Sequence, residues 1–246
     1  MNNLHALALL LVGMSGRQTA APADAPSAPV PKEVAMKATG VASFTLDWPD
    51  AAVPHWSIEV GEEIGDKSSG RYDELGGGAQ ASARTTQPIT VTRATAERLR
   101  AAYKTVASGN CETKAKHIAQ TGTKRLAYTM DGSDVWSSCT FNFSDDAAVM
   151  DAVAAFEAIA ETLQYGARLQ HEHRFDRLGL DAEMDSLISE NKDGRAIELQ
   201  NIASALQSIV DDDRVMERVR RKAARLLQDA GVVPASAPAA ATPNAR

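Results

Sequence analysis

Five histidines, two cysteines and a regular series of arginines are the residues of this 246-residue chain whose types and spacing could do chemistry. His171-Glu172-His173, followed by Asp176, is the one cluster that suggests a metal. Imidazole and carboxylate ligate zinc and related ions, and a bound ion can activate water for hydrolysis. The spacing works against this. Residues two apart on a helix point to nearly opposite sides, so His171 and His173 cannot easily face one ion, whereas His173 and Asp176, three apart, can share a face. The H-E-x-x-H pattern of zinc peptidases is absent. The expectation is therefore a solvated, charged stretch at a helix end, with no metal and no cofactor. Metal-assisted hydrolysis through His171, His173 and Asp176 is the enzymatic alternative.

Cys111 and Cys139 are too far apart in sequence for the C-x-x-C arrangement in which one thiolate is activated for redox work. They are expected to form one structural bridge, closing a loop of about 28 residues and contributing roughly 3 to 4 kcal/mol if unstrained. No G-x-S-x-G is present. His55 beside Trp56, and His117 within Lys114-Ala115-Lys116-His117, read as surface residues rather than bases for a nucleophile. Gly76-Gly77-Gly78 lacks the Lys and Ser/Thr of a phosphate loop and is expected to be a plain connection. Arg214, Arg218, Arg221 and Arg225 follow a 4-3-4 spacing that puts a basic stripe on the last helix. That stripe could meet a protein partner or an anionic surface. The expectation favours neutralisation from within by the acid-rich helix before it, with Asp181, Glu183, Asp185 and Glu190.

These residues need elements to position them. Phe44, Leu46 and Trp48 alternate with polar residues over 41–48, and Trp56, Ile58 and Val60 do the same over 55–60, which predicts two half-buried strands. Arg71–Leu75 and the Thr-rich 80–91 predict two more. Leu99, Ala102, Tyr103 and Val106 give a helical stripe after Thr92 or Thr95, which can cap it. A hairpin over 124–143 turns at Asp131-Gly132 and carries Cys139 in its second strand. Ser144-Asp145-Asp146 opens a helix through Val149, Val153, Phe156, Ala160 and Leu163. The middle of the chain thus reads hairpin, helix, hairpin, helix: a ββα-ββα-like α+β domain over 41–170, with an antiparallel sheet and two packed helices. A small all-helical bundle of three helices is expected over 171–231, its third helix opened by the acids of Asp211-Asp212-Asp213.

Both ends differ from this middle. Residues 1–23 carry a short apolar run, Ala6 to Met14, and Ala21-Pro22-Ala23, which together predict a signal peptide, although the segment before the run has no Lys or Arg. Residues 24–40 form a Pro/Ala linker and 232–246 a tail of like composition, both expected to be disordered. No later apolar stretch is long enough to span a bilayer. The formal charge of −6 argues against a nucleic-acid binder. The expected protein is periplasmic or extracellular and acts without catalysis by binding another macromolecule. A protease-inhibitor-like module is a further alternative, one that would act through the turn-rich 61–78.

The bridge gives the first test. Mass mapping without reduction, on protein from its native compartment, should return a peptide joining Cys111 to Cys139; free thiols there would overturn the pairing.

Overall fold

The structure is a computed structural model, and it describes residues 40–76, 84–130 and 135–232. The signal and linker segments up to residue 39, Gly77 and Gly78, the Asp131-Gly132 turn and the tail from residue 233 lie outside the described residues.

Six strands form one antiparallel sheet: β1 (Ala42–Asp47), β2 (His55–Ile64), β3 (Lys67–Leu75), β4 (Arg84–Thr92), β5 (Thr123–Thr129) and β6 (Trp136–Phe141), in the order β4-β3-β2-β1-β5-β6. The first four make a meander. Two helices, α1 (Arg93–Arg100) and α2 (Tyr103–Ser108), then carry the chain back, and the β5–β6 hairpin joins the free side of β1. The expected single helix after Thr92 is thus divided near Ala101. Thr92 caps α1 as foreseen, its hydroxyl accepting from the Thr95 amide. The fold is α+β, and the four strands expected before the first helix are all present, two more than the ββα shorthand counts there.

Strand register explains which residues face inward. Tyr72, Ile58, Phe44, Leu126 and Cys139 lie side by side across five strands, and Trp56, Leu46, Lys124 and Phe141 form the neighbouring row. The alternate phase carries Ser43, Thr45, Ser57, Glu59, Arg71 and Arg125, so the sheet is apolar on one face and polar on the other. α3 (Ala147–Phe175) lies on the apolar face. Asp146 caps it by accepting from the Val149 amide at 2.9 Å. Phe156 stacks on Phe44 with ring centroids 5.3 Å apart. Thirteen of its residues are buried, around most of its circumference, as expected of a helix covered on more than one side.

The second cover comes from the C-terminal helices, α4 (Leu180–Lys192), α5 (Ala203–Asp211) and α6 (Glu217–Asp229), with a 3-10 turn at Leu199–Ile202 leading into α5. The residue 170 boundary falls inside α3, and buried residues from the sheet and from all three C-terminal helices belong to one core. Thr162 donates to the Ile197 carbonyl at 2.7 Å. Glu198 and Asn201 close the edge of β4: Glu198 accepts from the Thr92 amide and hydroxyl, and Asn201 accepts from the Thr90 amide and donates to its carbonyl. An edge strand left bare would offer those groups to another chain.

The Cys111 and Cys139 sulfurs stand at disulfide distance, with Cα atoms 6.0 Å apart. Cys111 follows α2 and Cys139 lies in β6, so the pair ties the end of the helical return to the last strand, as the sequence predicts. Asp211-Asp212-Asp213 does not open α6. Asp211 ends α5, and α6 begins at Glu217. The chain needs those intervening residues to turn, and Asp212 is used as an anchor instead.

Gly166 marks the closest approach of α3 to the C-terminal layer. A Cβ there would stand 2.4 Å from Cγ2 of Ile202, itself buried. Gly166→Ala should lower stability by about 1–3 kcal/mol through overpacking. In chemical denaturation, Gly166→Ala combined with Ile202→Ala should cost less than the sum of the two single changes, since the second removes the clashing methyl.

Candidate functional site

A groove of about 570 Å³ opens at one end of the sheet, between the β1–β2 loop, the start of β5, the exit of β6 and one side of α3. Its volume lies in the range of ligand sites. A second cleft, beside Tyr72 and Gly166, is about 170 Å³ and falls below that range.

The groove follows from local structure. Trp56, Leu46 and Lys124, neighbours in one row of the sheet, lie along it beneath α3 residues. Trp48 begins the β1–β2 loop; its amide donates to the Pro54 carbonyl, and its own carbonyl accepts from the Ala51 amide. Gly122, with φ +89°, lets β5 begin against this loop, because a Cβ there would lie 2.8 Å from that of Trp48. Trp48 is 37% exposed and Phe143 39%, while Leu46 and Trp56 are buried beneath them. From α3, Met150, Glu157, Ala160, Glu161 and Gln164 line the opposite wall. Their spacing of seven, three, one and three residues keeps them on one side of the helix.

Lys124 is the groove's buried charge, 4% exposed. It shares the inward phase of β5 with Leu126 and Tyr128. Its ammonium donates to the Thr121 carbonyl at 3.1 Å, the Thr121 hydroxyl at 2.9 Å and the Asn142 carbonyl at 3.4 Å, which uses all three N–H groups. Asn142 in turn accepts from the Thr121 amide and donates to the Ala119 carbonyl, bracing the loop. Burial pushes the Lys124 pKa below the usual lysine range, and the Glu157 charge pulls it back in part. Glu157 is the reverse case. Its carboxyl opens into the groove and has no hydrogen-bond or ion-pair partner among the described residues. The protein around it pushes its pKa up, against the pull of Lys124. Glu161, one helical turn on, is paired with Arg168 at 3.1 Å.

None of the candidate site residues read from the sequence lines this groove, although Leu46, Trp48, Trp56 and Ala160, read there as strand and helix positions, do. His171, His173 and Asp176 are not assembled into a ligand set: His171 packs on Phe175, His173 bonds to Asp212 at 2.9 Å, and Asp176 closes the C-terminus of α3. Among the described residues, no group of three or more His, Cys, Asp or Glu is placed to hold a metal ion. The helical geometry that separates positions 171 and 173 is the reason. Asp212 gathers His173, Arg177 at 3.5 Å and Arg214 at 2.8 Å, joining the end of α3 to the turn before α6. Hydrogen bonds from Arg214, supported by His173, hold its carboxyl well below the usual carboxylate range.

The arginine series divides. Arg214 lies before α6 rather than on it, clamped to Asp212. Arg218 bonds to Asp181 at 2.9 Å, and Lys222 bonds to both Asp181 and Asp185. Arg221 pairs with Glu217 within its own helix. Arg225 is exposed and has no partner among the described residues. Neutralisation by α4 is thus realised through Asp181 and Asp185, whereas Glu183 and Glu190 serve Arg168 and Arg195. Sequence reading missed Trp48, Lys124, Phe143 and Glu157. Two signals were available: a lysine in the same phase as Leu126 and Tyr128, and a glutamate within an Ala-rich helix that is otherwise apolar over 152–160.

No protein-family model matches the chain, and no curated protein matches it either.

The unpaired Glu157 carboxylate has a measurable consequence. Its folded pKa is raised, so ionisation favours the unfolded chain, and the penalty exists only above the unfolded glutamate value of about 4.3. Glu157→Gln should therefore melt at a higher temperature than the parent at about pH 7, and the gain should vanish by about pH 3, where both forms are neutral. Thermal melts across that range would show it; a gain that persisted at low pH would point to packing instead.

Proposed function

We propose that the protein is an exported, non-catalytic binding protein that seats part of another macromolecule in the groove between the β1–β2 loop, β5 and α3. The observation that carries this reading is the pairing of two exposed aromatics, Trp48 and Phe143, with an unpaired carboxylate, Glu157, around one concavity. Exposed aromatic surface costs the free protein and is relieved by a partner, and the exposed Glu157 carboxylate can bond to one without breaking an internal pair.

Two further features support the reading. The apolar run and Ala21-Pro22-Ala23 fit a leader, and a paired Cys111 and Cys139 fit an oxidising compartment. No described helix is long and apolar enough to cross a membrane. Lys124 is held by three protein acceptors and is spent on structure, so the groove offers it neither as a base nor as a nucleophile.

Site-specific photo-crosslinking tests the site. A photoreactive phenylalanine analogue at Phe143 should trap one discrete partner in cells of the source, and the same analogue at Thr86, on the polar sheet face, should not. Equal crosslinking at both positions, or none at Phe143, would remove the groove reading. Retention of the full-length chain in the cytoplasm with its first 23 residues intact would remove the export reading.

A further inference from the structure

Resting on the groove as the binding site, the balance of charge along it identifies what kind of partner it fits. Its lining contains two carboxylates, Glu157 and Glu161, and one cation, Lys124. The cation has no N–H left to give, since Thr121 and Asn142 take all three. An anionic ligand would meet no free donor on that ammonium, and two carboxylates besides. Glu161 is engaged by Arg168, whereas Glu157 has no partner among the described residues. Glu157 is therefore the charged group of the lining that a ligand can reach without breaking an internal ion pair. Trp48 and Phe143 add partly exposed rings, and Leu46, Val53 and Ala160 add apolar lining.

A long side chain with an apolar stem and a cationic head matches each of these parts. The stem lies on the apolar floor, the head is attracted to aromatic faces, and a charge-assisted hydrogen bond ends on the carboxylate. The groove's volume exceeds that of a single side chain, so it accommodates neighbouring residues of a chain as well. We propose that the groove docks a basic segment of a partner protein, with an Arg or Lys side chain laid between Trp48 and Phe143 and its head on Glu157.

The test uses the full chain and four probes: the blocked peptide Ala-Leu-Arg-Leu-Ala, the same peptide with Gln or with Glu in place of Arg, and n-butylguanidinium. Binding is read from the NMR shift of the Trp48 indole N–H, assigned with Trp48→Phe. The Arg peptide should bind about tenfold or more tighter than the Gln peptide, and the Glu peptide more weakly still. Glu157→Gln, which should remain folded, should bring the Arg peptide down to the affinity of the Gln peptide. Trp48→Phe and Phe143→Ala, read from the backbone amide of Gln164, should weaken the Arg and Gln peptides together.

If the three peptides bind equally with shifts at the groove, the cationic preference is wrong and the groove reading stands. If n-butylguanidinium alone matches the Arg peptide, the occupant is a small organic cation and the protein partner is wrong. If no peptide shifts the groove residues, the proposal falls, and crosslinking at Phe143 then decides separately whether the groove binds anything.

Discussion

α3 has to satisfy two apolar surfaces at once, and the rest of the structure depends on that constraint. On one side Phe156 stacks on Phe44 at the centre of the sheet. On the other, Thr162 bonds to the Ile197 carbonyl and Gly166 meets Ile202. Small residues on the second side let backbones approach closely, which brings the C-terminal helices near enough to reach β4. The sheet alone would leave its apolar face half covered, and the C-terminal helices alone would have no shared core. Each completes the other through one 29-residue helix.

The groove is a by-product of this arrangement. Trp48, Ala51, Ala52 and Val53 of the β1–β2 loop line it on one side, and Met150, Glu157, Glu161 and Gln164 of α3 on the other. An apolar residue at position 124 would extend the core into that space. A lysine saturated by Thr121 and Asn142 instead braces the loop while keeping a charge beneath the floor. Glu157, exposed on α3, makes no hydrogen bond or ion pair among the described residues.

Charge elsewhere is used for assembly. Asp212 collects His173, Arg177 and Arg214, and Asp181 collects Arg218 and Lys222. These contacts join segments that lie far apart in the chain, and they take Arg214 and Arg218, half of the basic stripe. Exposed pairs of this kind contribute little individually, so their value is in setting how α4 and α6 lie against each other.

The sequence by itself determined the strands, the helices, the Cys111–Cys139 partnership and the three C-terminal helices. Period-two and period-3.6 patterns report which side of an element is buried, and Thr92, Asp146 and Gly231 mark ends through purely local bonds and backbone angles. Only the tertiary structure decided the strand order, the insertion of the β5–β6 hairpin beside β1, the role of Asp212 and the groove itself. Those depend on which apolar faces meet and on which loop lies beside which helix. Trp48, Lys124, Phe143 and Glu157 are spread over some 110 positions, and no local pattern marks them as neighbours. His171, His173 and Asp176 show the converse: they are close in sequence, and helical periodicity, legible from the sequence, already sets His171 and His173 on different sides.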